Sequence, residues 1–298
     1  MTIRWRVVRV MVTAIGIVSG WGMITPGHAQ TFTEVGASLG MDVVGPGAAW
    51  GDYDNDGDLD LYVANRGGPN RLYRNNRVEG QSGGLTAGVT FTEVGASAGV
   101  NDIDGHGVGW GDYDNDGNLD LFVASFGEPN RLYRNNRVEG QPSELTAGVT
   151  FTDIAPDLGM AASGIFGSAA SWGDYDNDGD LDLYVGNFEA PNLFYRNEGN
   201  TNRWVNITLR GTKSNRSAVG TVVTAVTGTK RQRRDVDGGS GFCSQPSLPV
   251  EFGFGQTTMM VDSLIIRWPS GIVQVLTNVA RTNSSRSSRK GPPAGSPL

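Results

Sequence analysis

An all-β fold is predicted for this 298-residue chain by three observations. A near-identical block recurs three times, as "WGDYDNDGDLDLYVAN" from Trp50, "WGDYDNDGNLDLFVAS" from Trp110 and "WGDYDNDGDLDLYVGN" from Trp172. Each block ends in a short alternating run, with Leu59, Leu61 and Val63 on one face and Asp60 and Tyr62 on the other, the pattern of a half-buried strand. Nothing reads as a long helix, and 44 glycines supply turns. Several short strands per unit, joined by turns at a fixed period, predict three blade-like repeats of a partial β-propeller followed by a small β-rich C-terminal domain.

Taken in chain order, Arg4, Arg6 and Arg9 precede an apolar run from Val10 to Ile24 and the small-residue exit "PGHAQ". That order predicts a signal peptide over 1–29, cleaved near Ala29, and export to the periplasm, the cell surface or beyond. The run is shorter than a normal spanning helix, and no other segment could span a bilayer, so no membrane span is expected after processing. The repeats occupy 30–200 as units 31–89, 90–149 and 150–200, opening with "TFTEVGASLGM", "TFTEVGASAGV" and "TFTDIAPDLGM" at spacings of 59 and 60 residues. Each unit continues through the aspartate loop to a second short strand, "PNRLYRNN" or "PNLFYRN". A β-rich domain over 201–280 follows. The remaining 281–298, "RTNSSRSSRKGPPAGSPL", is polar and basic and is expected to be disordered. Cys243 is the only cysteine, which excludes an intramolecular disulfide, and reads as a buried small hydrophobe.

Charge divides the chain. Residues 30–200 carry 8 basic and 27 acidic side chains, net −19, whereas 201–298 carry 13 basic and 4 acidic, net +9. An acidic body of that size repels itself, and divalent cations are the simplest remedy.

The aspartate loops supply the chemistry for such cations. In D-x-D-x-D-G-x-x-D the side chains of Asp52, Asp54 and Asp56 converge, Gly57 makes the sharp turn, the carbonyl of Asp58 faces inward and Asp60 closes the shell from the strand. The equivalent sets are Asp112, Asp114, Asp116, Asn118 and Asp120, then Asp174, Asp176, Asp178, Asp180 and Asp182. An all-oxygen, highly charged, flexible set prefers Ca²⁺ over a transition metal or Mg²⁺, and about three ions per chain are expected. An EF-hand needs a bidentate Glu at position 12 and flanking helices; here position 12 is Val63, Val123 or Val185, each inside a strand.

The loops with "PNRLYRN" resemble the FG-GAP/VCBS repeats of integrin-alpha-type propellers. Downstream, "NRWVNITLRGTKSNRSAVGTVVTAVTG", "GGSGFCSQPSLPVEFGFGQ" and "VDSLIIRWPSGIVQVLTNV" resemble the ASPIC/UnbV domain. The pairing resembles the cartilage acidic protein 1 group and its bacterial relatives. It implies a calcium-binding extracellular propeller with a small β domain and implies no catalytic activity. Relatives carry enough repeats to close a propeller; this chain shows three, below the four that closure normally needs.

Other features are read as structural. His106, in "DIDGHGVGW", is expected in a solvated turn, and Lys230, Arg231, Arg233 and Arg234 in a solvated hairpin edge, with contact to an acidic polysaccharide or to the acidic body as the second reading. No acid, base or nucleophile cluster outside the calcium loops is evident. The functional expectation is an exported, calcium-binding, non-enzymatic module for binding or adhesion. Its partner is an extracellular protein or polysaccharide, not a nucleic acid, and open blade edges favour a homo-oligomer. The alternatives are a secreted enzyme acting on polysaccharide with calcium purely structural, and a truncated family member without independent function.

Overall fold

A computed structural model of the chain describes residues 12–13, 32–41, 43–77, 89–138, 148–161, 166–256, 260–280 and 282–283. The signal-peptide reading therefore falls outside the described residues except at Val12–Thr13, which pair in parallel with Leu209–Arg210. No helix among the described residues is long and apolar enough to cross a membrane.

The fold is all-β. The first blade is an antiparallel sheet of Gly47–Gly51, Asp60–Ala64, Arg71–Asn75 and Phe91–Glu93, in that order. The second repeats it with Gly105–Gly111, Asp120–Ser125, Arg131–Asn135 and Phe151–Asp153. The third has three strands, Phe166–Gly173, Asp182–Phe188 and Leu193–Tyr195. Sequence unit and blade are thus out of phase: the "TFTEV" that opens one unit is the outer strand of the blade before it. The asparagine of each "PN" pair explains the turn that leads into the third strand. Its side-chain oxygen accepts from the backbone N–H five residues earlier, Asn65 to Asn70, Ser125 to Asn130 and Asn187 to Asn192.

Blades stack face to face, so the central strand of the middle blade is buried on both faces. All six residues of Asp120–Ser125 are buried, and Tyr62 and Phe122 are 0% exposed. This corrects the half-buried reading for the first two blades, where Tyr62 and Phe122 face a neighbouring blade; in the third, Leu183 and Val185 are buried while Tyr184 is exposed, as the alternation predicts. Tyr62, Leu72, Val108, Leu121, Val123 and Tyr133 make the core between the first two blades. Phe122, Leu132, Ala170, Trp172, Leu183 and Val185 make the next. Two polar links bind each junction. The Trp110 and Trp172 indoles donate back to the carbonyls of Ala49 and Gly109, at 3.2 and 3.1 Å. Asn55 and Asn115 reach forward from one aspartate loop to the carbonyl of Gly117 or Gly179 in the next, at 3.2 and 3.0 Å.

The C-terminal part is a sandwich of two sheets. Lys230–Asp235, Val222–Thr227, Val261–Arg267 and Val273–Val279 form one, in that order. Val250–Gly253, Arg203–Ile207 and Thr282–Asn283 form the other. Ile207, Val223, Phe252, Leu264 and Ile266 fill the space between them. Thr282–Asn283, assigned to the tail on sequence, pair with Arg203–Trp204; residues 284–298 lie outside the described residues.

Three sequence expectations are corrected. His106 lies within a strand, 8% exposed, its ring 4.4 Å from Phe242 and 5.6 Å from Phe126; a segment of the C-terminal domain covers what reads locally as a turn. Cys243 is exposed, at the left-handed φ of 51° in the Gly- and Ser-rich turn that follows Asp237. The basic hairpin lies against the aspartate loops and not at a solvated edge: Lys230 Nζ donates to the Asp116 carbonyl, Arg233 to the Gly57 carbonyl, and Arg234 pairs with Asp112. Of the four cations only Arg231 remains exposed.

The close approach of the two parts can be measured at a glycine. Gly179 has φ +92°, and a Cβ there would fall 1.6 Å from Trp204 of the C-terminal domain, whereas at Gly57, φ +99°, nothing lies within 4 Å. Gly57→Ala meets only the backbone penalty, about 1–2 kcal/mol. Gly179→Ala adds a clash with a rigid ring, and the loss is expected to be about 3 kcal/mol or more. Urea unfolding of both variants checks the order; equal losses would show that the Trp204 contact is not present in solution.

Candidate metal centres

Each aspartate loop closes on itself before it closes on anything else. Asp54 Oδ1 accepts the Asp56 amide at 3.2 Å, and Asp56 Oδ1 accepts the Asp58 amide at 2.8 Å, successive Asx turns that wind the chain. Asn55, Asn115 and Asn177 sit at φ 57°, 57° and 58°, left-handed positions that asparagine tolerates. The last aspartate has a structural task that the sequence reading missed. Asp60 accepts the amides of Tyr53 and Asn75, at 3.3 and 2.8 Å, and so ties the loop to the third strand. Asp120 and Asp182 repeat both bonds.

The first-, third- and ninth-position carboxylates converge. Asp52, Asp54 and Asp60 place one oxygen each within 4.8 Å of one another, as do Asp112, Asp114 and Asp120, and Asp174, Asp176 and Asp182. These clusters could hold metal ions. Asp56, Asp116 and Asp178 stand outside these groups, their Oδ1 atoms engaged by the amides two residues on. Side chains at the seventh position are used elsewhere: Asp58 pairs with Arg77 at 3.3 Å, while Asn118 and Asp180 accept from Asn55 and Asn115 of the preceding loop. The seventh position is thus where one loop is latched to its neighbour, and asparagine serves there as well as aspartate.

Burial makes these clusters electrostatically incomplete. Asp52 is 1% exposed, and neither of its oxygens has a hydrogen-bond partner. A buried, unpartnered carboxylate among two others is costly unless neutralised. Burial, and then Asp54 and Asp56, push the Asp52 carboxyl well above the usual range. Asp54 and Asp112 rise to about 7 and Asp60 to about 10, chiefly by burial. An oxygen-only set with an orphaned buried carboxylate fits a hard divalent cation.

The three loops differ in what covers them. The second is capped by the C-terminal domain. Asp112 Oδ2 accepts the Gly253 amide at 3.0 Å and lies 3.6 Å from Arg234, whose side chain is 11% exposed and stacks 5.5 Å from the Phe252 ring. Gly255 donates to the Asn115 carbonyl at 2.9 Å, and Asn202 to that of Asp114 at 2.8 Å. Beside the third loop, Asp174 shares a small cavity of about 60 Å³ with Glu251 and Trp204. Burial, then Asp174 and Asp112, raise Glu251 to about 8, and its Oε2 has no partner. Sequence reasoning found neither Arg234 nor Glu251 as site residues. Glu251 alternates with Val250 and Phe252 as any strand acid would, and only the docking of two distant segments gives it a role.

A pH dependence follows. Folded carboxyls raised above their unfolded values bind more protons than the unfolded chain, so their stabilising protonation is complete below about pH 4 and is lost as pH rises through about 6 to 7. Asp114, Asp174 and Asp180, at about 6, and Asp54 and Asp112, at about 7, set that window. In chelator the melting temperature is expected to be higher at about pH 5 than at about pH 8. A saturating divalent cation holds the same groups charged and reverses the sign. Melting curves at both pH values, with and without cation, check this; a chelated protein that gains stability with rising pH contradicts it.

Comparison with known proteins agrees with this architecture. Residues 52–123 and 112–185 match the FG-GAP-like repeat, and residues 211–286 match the family described as ASPIC and UnbV. Cartilage acidic protein 1 of Homo sapiens is 30% identical over 265 residues, which is 84% of this chain and 37% of that protein. The Mus musculus protein of the same name is 29% identical over 256 residues, 81% of this chain and 36% of its own length. The chain thus spans a little over a third of the length of these curated relatives. It is an all-β protein of FG-GAP-like repeats joined to an ASPIC and UnbV domain, homologous to cartilage acidic protein 1.

Proposed function

We propose that this chain is an exported calcium-binding module that holds an extracellular protein or polysaccharide and does not transform it. About three Ca²⁺ would be bound, one per loop. Asp52, Asp54 and Asp60 and their counterparts would hold the ion directly, with Asp56, Asp116 and Asp178 and the carbonyls at Asp58, Asn118 and Asp180 completing the oxygen shell. The observation that carries this reading is the buried, unpartnered carboxylate of Asp52 within a threefold repeated cluster. Charge supports it as well: three divalent ions take residues 30–200 from −19 to −13. The ions would contribute rigidity, and the loops and docked C-terminal domain would present the binding surface. Extracellular placement rests on the basic and apolar N-terminal order and on the resemblance to the curated relatives.

Calorimetric titration of the chain with calcium is expected to give about three ions per chain, and Asp112→Ala to remove one and leave the others. Saturation at millimolar calcium is expected to raise the melting temperature, because binding to the folded state alone stabilises it. Fewer than two bound ions, or a melting curve indifferent to chelator, would overturn the calcium reading.

A further inference from the structure

The third blade lacks the strand that completes the other two. In the first blade Phe91–Glu93 pair with Arg71–Asn75, in the register Tyr73 to Glu93, Arg74 to Thr92 and Asn75 to Phe91. In the second, Phe151–Asp153 pair with Arg131–Asn135 in the same register. The equivalent edge of the third blade, Leu193–Tyr195, has no further strand among the described residues, because the chain leaves for the C-terminal domain.

The face beside that edge is open too. Tyr184 and Phe194 are 45% and 54% exposed, whereas their counterparts Tyr62, Phe122, Leu72 and Leu132 are at most 1% exposed beneath the following blade. Tyr175, the counterpart of the 2%-exposed Tyr53, is 53% exposed. Phe194 meets each of the two tyrosines, with ring centroids 4.9 Å apart for Tyr175 and 6.4 Å for Tyr184.

The missing pieces are present at the other end of the chain. "TFTEV" at 31–35 has the same sequence as the first blade's outer strand segment at 90–94, yet Phe32–Val35 form no strand, and Phe32 is 94% exposed. Trp50 is 52% exposed, whereas Trp172, which covers the second blade, is 5% exposed. Val63 and Tyr73 on that side of the first blade are already buried, so the open contacts there are Trp50, the half-buried Leu61 and the idle strand segment.

We infer that the chain assembles head to tail with a second copy, whose 31–35 segment adds as the fourth strand of the third blade while its Trp50 covers Tyr184 and Phe194. The existing junctions dictate the register: the partner's Phe32 opposite Asn197, the partner's Thr33 opposite Arg196 and the partner's Glu34 opposite Tyr195. The amides of Val94 and Ile154 donate to the carbonyls of Leu72 and Leu132, both at 2.8 Å, so the Val35 amide of the arriving copy donates to Phe194. The Trp50 indole takes the Ser171 carbonyl, as Trp110 and Trp172 take those of Ala49 and Gly109. The occupant is a second copy because this chain already makes the junction twice and displays both of its complementary halves. Among the described residues the idle segment does not pair with the third blade of its own chain, and eleven residues, 36–46, join it to the first strand of the first blade. A heterologous junction of this kind yields a six-blade ring if two copies close and an open array if they do not. The inference does not depend on the calcium reading.

The test uses two variants outside the aspartate loops. Val35→Pro removes the amide that the junction uses, and Phe194→Lys charges the receiving face. Wild-type protein in millimolar calcium is expected to show a concentration-dependent mass of at least two chains by analytical ultracentrifugation. Each variant alone is expected to bind itself weaker by on the order of 100-fold or more, the loss of one buried hydrogen-bonded or apolar anchor and its neighbours. Mixed in equal amounts, the two variants retain one intact head and one intact tail and are expected to form a dimer that stops at two chains. Circular dichroism and melting curves matching wild type show that each variant folds. A wild-type monomer at all accessible concentrations, variants that associate as wild type does, a mixture that remains monomeric, or stable capture of an unrelated protein without self-association would each overturn the inference.

Discussion

Buried carboxylate repulsion is the constraint on which the rest of this structure depends. The aspartate loops sit where inner strands of successive blades converge, so Asp52, Asp60, Asp112 and Asp120 are each 3% exposed or less. No fold that stacks these blades can avoid bringing the loops together. The structure answers with amide donors, with neighbouring asparagines and with the basic C-terminal domain. The net +9 of residues 201–298 is therefore as much a part of the blade region as the loops are. Arg234 shows the limit of that answer. Burial pulls it below its usual value despite the opposing pull of Asp112 and Asp52, and its Nη2 lacks a hydrogen bond. A guanidinium held near two carboxylates without good geometry neutralises part of the charge and leaves room for a smaller cation to neutralise the rest.

That arrangement links domain docking to the state of the loops. The second loop gives the C-terminal domain Asp112, Asp114, Asn115 and Asp116 as contacts, through Gly253, Arg234, Asn202, Gly255 and Lys230. The first is touched chiefly through Gly57 and the third through Gly179 and Trp204. The loop that is best covered is thus the one between two others. Asn55 and Asn115 bind the loops in series, so a shift of the middle loop is felt on both sides.

Local chemistry was legible in the sequence and long-range packing was not. The loops, the two strands that flank them and the exclusion of an EF-hand all follow from residues within about a dozen positions of Asp52, because Asx turns, glycine and period-2 alternation act over that range. Tyr62 was misread because alternation cannot tell solvent from a second sheet. His106 and Arg234 were misread for a related reason: each is covered by a segment more than a hundred residues away, with no local signature. Cys243 fails in the opposite direction: it lies exposed in a Gly- and Ser-rich turn, and the type of side chain does not reveal that place. The phase shift between sequence unit and blade was hidden by the most conspicuous motif itself. "TFTEV" reads as a beginning, yet in space it is an end.

The junction between blades carries a consequence for how such chains change over generations. Trp110 and Trp172 reach back to the same carbonyl position, and Asn55 and Asn115 reach forward to the same loop position, so one junction is a copy of the other. Recombination between the two copies of "NRLYRNNRVEGQ", at 70–81 and 130–141, would add or delete one period of 60 residues and leave every remaining junction with its partners. A shift of half a period would orphan an indole, an asparagine and an outer strand together. The length of a lineage built this way is quantised, and its members differ by whole blades.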